Sequence, residues 1–193
     1  MADRFFLIVA KDIIFNPSTA WETIYSDARP VKVIRNGFLI PLVLLISISA
    51  FAGSMVFANS EPSISWSLLT GLKCFFLFYL TVFATSWVLK EITYPLDLGK
   101  NFSVSFRLIT YSVVPLLVCQ FFSRFFESLL FINVLAMYSL YIFWTGAEKL
   151  LNPPANKKMP LLIATFVTFL VIFIAADLLF SMLIDRIYSI FFS

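Results

Sequence analysis

A chain of 193 residues that is 61% apolar, 18% aromatic and only 13% charged lies outside the range of soluble domains, where roughly a quarter of residues carry charge. Its net charge of +3 is too small to imply nucleic-acid binding, and without His it lacks the commonest general base and the commonest metal ligand. Cys74 and Cys119 both fall within apolar stretches, which argues against a disulfide framework or a Cys-based zinc site and leaves them as small buried hydrophobes.

In chain order, Phe5 to Ala10 is apolar but is followed at once by Lys11 and Asp12, too short and too poorly flanked for a secretory signal. Phe5, Ile8, Val9, Asp12 and Ile13 recur at helical spacing, which predicts a short apolar helix lying at the membrane interface. Asn16 before Pro17 reads as a helix N-cap with Pro at the first position, Thr19 with Glu22 as a capping box, and a second helix follows to about Tyr25. Trp21, Ile24 and Tyr25 give it an aromatic side suited to the headgroup level. Two roles stay open for this segment: an anchor on the inner leaflet, or a docking surface for a cytosolic partner.

Five apolar stretches then follow, at Phe38 to Phe57, Trp66 to Leu89, Phe106 to Phe122, Leu129 to Gly146 and Leu161 to Ile184. Each approaches the length a helix needs to cross a hydrocarbon core of roughly 30 Å. The fold class expected is an all-α polytopic membrane protein, five transmembrane helices preceded by short cytoplasmic amphipathic helices. Residues 1–35 would form the N-terminal segment and residues 36–193 the bundle, one domain overall. The first span serves as an uncleaved signal anchor, and Pro115 alone is deep enough in a span to predict a kink.

Counted loop by loop, eleven Lys and Arg residues fall on one side of these spans and two on the other, with Lys73 left inside the second. Because cytoplasmic loops carry the basic excess, the N-terminus is predicted to be cytoplasmic and the C-terminus outside, with the chain in the plasma membrane, or the inner membrane of a bacterium.

Lys73 on the descending second span and Asp177 on the ascending fifth lie at matched depths, about 10 Å from the outer ends of their helices at 1.5 Å per residue. Insertion of a central Lys or Asp costs about 2.5–3.5 kcal/mol, and the twelve Leu, Ile, Phe and Val residues between Trp66 and Leu89 offset it by roughly 4–7 kcal/mol. As a polar pair these residues would serve a proton step, a headgroup groove or a conduit; as a structural device they would fix helix register. Arg124 and Glu127 read as an exposed pair in the outer hairpin turn.

The chain contains no phosphate-cradling Gly-rich loop, no paired His ligands and no nucleophile elbow, and Asp177 is the single acid well inside a span. No catalytic residue, metal ligand or cofactor site is therefore assigned, and the protein is expected not to be an enzyme. Small residues recur at helix-packing spacing, as in Ser49 with Gly53.

Gly99, the run Tyr111-Ser112-Val113-Val114-Pro115, then Tyr138, Tyr141 and Gly146, a short loop with Lys157 and Lys158 and a final apolar span together resemble the Ypt-interacting-protein (Yip) family. So does the opening Pro17 with Trp21 and Ile24, which is similar to the proline-led helix of its bacterial members. The resemblance covers nearly the whole chain and implies five spans and a cytoplasmic N-terminus. Relatives in eukaryotes bind Rab-class GTPases in vesicle traffic. This chain lacks their long N-terminal tail and their Tyr-Gly-Pro segment, carrying Arg29-Pro30 and Asn36-Gly37 there instead, which points to a bacterial-type member.

The expected function is thus a non-enzymatic module that organises membrane or binds a partner through its cytoplasmic face. That face comprises Pro17 to Asp27, the loop from Glu91 to Phe106, and the turn from Asn152 to Pro160, with Lys157 and Lys158 as contacts for membrane lipid or protein. Two rivals remain: a small conduit or lipid-moving protein using Lys73 and Asp177, and a stabilising subunit of a larger complex. Partner identity and oligomeric state are not encoded in any motif.

Overall fold

Backbone hydrogen bonds in an apolar medium must be made internally, and the chain meets that demand with helices. The computed structural model describes residues 2–56, 64–126, 132 and 134–191, with side chains of residues 2–7 and 191 set aside. The described residues are all-helical, without strands.

The N-terminal region folds as α1 (Ala2–Phe15) and α2 (Pro17–Asp27), separated by Asn16 alone. Pro17 occupies the first turn of α2, where its missing N–H has no helical partner to lose. The expected capping box does not form: Thr19 Oγ1 donates back to the Asn16 carbonyl at 3.0 Å, and Glu22 turns outward to Lys149. Ala28 ends α2 in the left-handed region, at φ 40°.

Next come α3 (Val31–Ile34), a π-helical turn over Arg35–Leu39 and α4 (Ile40–Val56), which run on as one helix of 26 residues. Pro41 accompanies the widened turn, since it cannot donate to the carbonyl of Gly37. The helix α5 (Ile64–Thr93) follows, then α6 (Phe102–Ser112) and α7 (Val114–Phe125), bent by 43° at Val113 just before Pro115. After a 3₁₀ turn over residues 134–137 come α8 (Tyr138–Leu150) and α9 (Ala155–Phe191), which carries Pro160 without breaking.

Three of these helices, Val31–Val56, Ile64–Thr93 and Ala155–Ile190, are long and apolar enough to cross a membrane, and the bent α6–α7 pair makes a fourth if it counts as one span. The fourth apolar stretch is described only in part. Its described helix, α8, has 13 residues and so reaches about 20 Å, short of the hydrocarbon thickness. Residues 127–131, where that span would begin, and Glu127, the expected partner of Arg124, lie outside the described residues.

In the bundle, α5 is sandwiched between α4 and α9, α7 lies on α4, α6 on α5 and α8, and α2 on α8. Small residues bring α4 close to α7: Ser49 Oγ donates to the Phe121 carbonyl, and a Cβ on Gly53 would collide with the carbonyl of Arg124. By contrast α9 leaves Ile163, Val167, Ile174, Leu178 and Met182 exposed, the apolar surface expected of a helix bathed in lipid.

Candidate functional site

Several of the residues that resemble a family motif meet in one knot. Trp21 of α2 is fully buried, and its indole N–H donates 3.1 Å to the carbonyl of Ile142 on α8. Its ring lies against Gly146, where a Cβ would stand 2.4 Å from the indole, so that only glycine allows the approach. The edge of Trp21 meets Tyr111 of α6 at 6.2 Å between ring centroids, and Tyr111 packs on Phe38 at 4.8 Å. The expectation that Trp21 and Ile24 face the headgroups is corrected here: both are buried in protein, and Tyr25 alone of the three is exposed.

A second tie joins α1 to the same knot. The Tyr138 hydroxyl donates 3.0 Å to the carbonyl of Ile14, while its ring stacks on Tyr141 at 5.5 Å. Ile13 is fully buried in the same core. The N-terminal helices are thereby plugged into the bundle by one neutral side-chain hydrogen bond each, supported by packing.

Pro115 acts at the bend. In an unbroken helix the Leu116 N–H would bond the carbonyl of Ser112; instead it donates 3.1 Å to Ser139 Oγ on α8. Ser139 thus caps a backbone group that the bend releases, as a neighbouring helix must do in an apolar medium. Gly99, in the loop before α6, stands at φ +83°, the left-handed region that favours glycine.

Around the end of the bundle that carries α2, ion pairs link successive elements. Glu22 of α2 meets Lys149 of α8 at 3.0 Å, Glu148 meets Lys158 of α9 at 2.7 Å, and Lys157 meets Asp97 at 2.9 Å while also reaching the Leu96 carbonyl at 2.8 Å. Glu91, between Lys90 at 3.0 Å and Lys100 at 2.6 Å, extends the series into the loop after α5. Lys157 and Lys158 are therefore engaged within the chain, and their charge is largely matched on the spot.

About 25 Å further along α5 from Lys90, at 1.5 Å per residue, Lys73 meets Asp177 of α9 at 2.7 Å. Lys73 also donates 2.7 Å to Ser181 Oγ, one helical turn beyond Asp177. The pair is partly covered, with side chains 22% and 39% exposed. Trp66 and Tyr188 close the far end of the same helix contact edge to face at 5.0 Å. Sequence reasoning had no means of finding Ser181 or Ser139, because a lone Ser in an apolar helix carries no positional signal.

Residues 11–176 match the Yip1 domain. No curated protein and no solved structure matches the chain.

Proposed function

The chain belongs to the Yip1 domain family, and from that premise we propose a non-enzymatic, multi-pass membrane protein that binds a protein partner through the face built on α2. The observation that carries this reading is the series of ion pairs from Glu22 to Lys149, Glu148 to Lys158 and Lys157 to Asp97. It brings three separate polar segments together into one surface, and a surface assembled before docking loses less entropy when a partner docks.

In this reading the chain crosses the membrane five times, residues 1–35 form the cytoplasmic segment, and the N-terminus is cytoplasmic with the C-terminus outside. The basic excess of the loops supports the orientation, and the plasma membrane, or a bacterial inner membrane, is the compartment. Membrane lipid bathes the remaining surface and touches the basic residues of the α2 end. With Lys73 and Asp177 in contact, their role is to fix the register of α5 against α9, and the conduit reading loses its free charges.

A photoreactive residue placed at Tyr25, which is 57% exposed, is expected to trap a discrete protein adduct in intact cells, whereas one at Ile174 on the lipid-facing side of α9 traps none. Diffuse or absent adducts from Tyr25 and its neighbours Glu22 and Ser26, in a chain that remains folded, would sink the partner-binding reading.

A further inference from the structure

Between the bent α6–α7 pair, α8 and α9 lies a cleft of about 260 Å³, walled mainly by Leu116, Leu140, Phe143, Leu162, Phe166 and Phe169. Among the described residues no Asp, Glu, Lys or Arg lines it. It flanks helices long and apolar enough to cross a membrane, so its surroundings are hydrocarbon.

One feature of the wall is polar and unused. Ser112 lines the cleft, is 3% exposed, and its Oγ has no hydrogen-bond partner among the described residues. Its carbonyl has also lost the donor an unbroken helix would provide, because the Leu116 N–H goes to Ser139. A buried hydroxyl without a partner costs about 1–3 kcal/mol, a cost that a guest's hydroxyl reaching it from the cleft would relieve. A donor and an acceptor side by side match a hydroxyl group, which is itself both.

Size narrows the guest further. An apolar cavity of about 150 Å³ holds benzene, so this cleft takes a segment of one hydrocarbon chain rather than a two-chain phospholipid. The absence of charge excludes a phosphate headgroup from the interior, since a charge there would lack a counterion.

We propose that this cleft is a binding site for a neutral single-chain lipid bearing a hydroxyl group, with the chain among Leu140, Phe166 and Phe169 and the hydroxyl at Ser112. The site is separate from the α2 face, so partner binding and lipid binding stand or fall independently.

The test uses the full chain in phosphatidylcholine nanodiscs with two photoreactive probes of equal length, a long-chain monoacylglycerol and a hydrocarbon without oxygen. The monoacylglycerol is expected to label peptides containing Leu140, Leu162 and Phe166, and unlabelled monoacylglycerol to compete it away. Ser112→Ala should weaken its half-saturation three- to tenfold, the loss of one or two hydrogen bonds, and leave the hydrocarbon probe unchanged. Leu140→Trp should abolish labelling by both probes by filling the cleft. Equal labelling along the whole exposed side of α9, or an unchanged response to monoacylglycerol in Ser112→Ala, would overturn the proposal.

Discussion

The knot around Trp21 and the contact around Lys73 both join helices far apart in sequence, and they do so by opposite means. At Trp21 the groups are neutral and buried, shape does most of the holding, and a single hydrogen bond to Ile142 sets the orientation. At Lys73 two formal charges meet between long helices, and the side chains stay partly exposed. Packing discriminates among geometries by volume, whereas an ion pair in an apolar medium discriminates by forbidding separation. A short helix with few turns to bury, such as α2, needs the first device. A long one such as α9, able to slide along α5, needs the second.

The comparison breaks most readily at Trp21. Trp21→Ala removes the largest fully buried side chain and leaves the Gly146 surface bare, and is expected to destabilise the protein by about 3–5 kcal/mol. Thermal unfolding in detergent measures the loss, and protease sensitivity at Ala28 to Pro30 should rise in parallel as α1 and α2 detach. A change under 1 kcal/mol would mean that the knot is peripheral. Gly146→Leu should act in the same direction by denying the indole its place.

Asp177→Asn tests the other device. Lys73 keeps its charge and loses its counterion, and because the pair is partly exposed the expected loss is about 1–2 kcal/mol, below that of a fully buried pair. A double-mutant cycle with Lys73→Met isolates the coupling. The double variant should recover part of the stability, since neither charge then lacks a partner. If the two changes simply add, the contact fixes nothing. Vesicles holding Asp177→Asn and the parent chain should leak ions alike; a difference would revive the conduit.

What the residues revealed in advance follows the same division. The depth of Lys73 and Asp177 could be counted from helix ends, and Pro115 announced the bend, because charge and proline each act through one strong local rule. Trp21 misled for a physical reason. An aromatic residue on a short helix near a membrane has the same periodicity whether it faces lipid headgroups or a protein groove, and the glycine that receives it is 125 residues away. The apolar stretch before Gly146 is legible only in part: α8 accounts for its second half, and residues 129–131 and 133 of its first half lie outside the described residues. Ser139 was invisible because Pro115 predicts that a backbone donor nearby must be satisfied but not by which helix.

The smallest expected effect concerns the ion pairs of the α2 end and sharpens the contrast with Lys73. Glu22 and Lys149 are wet, with side chains 64% and 42% exposed, so Glu22→Gln should change stability by less than about 0.5 kcal/mol, and less still in high salt. Its influence on partner capture from Tyr25 should be larger, because the pair orients α2 on α8 without holding it there. A drop in adduct yield at unchanged melting temperature would assign the ion pairs to recognition. A fall in both together would assign them to holding the fold instead.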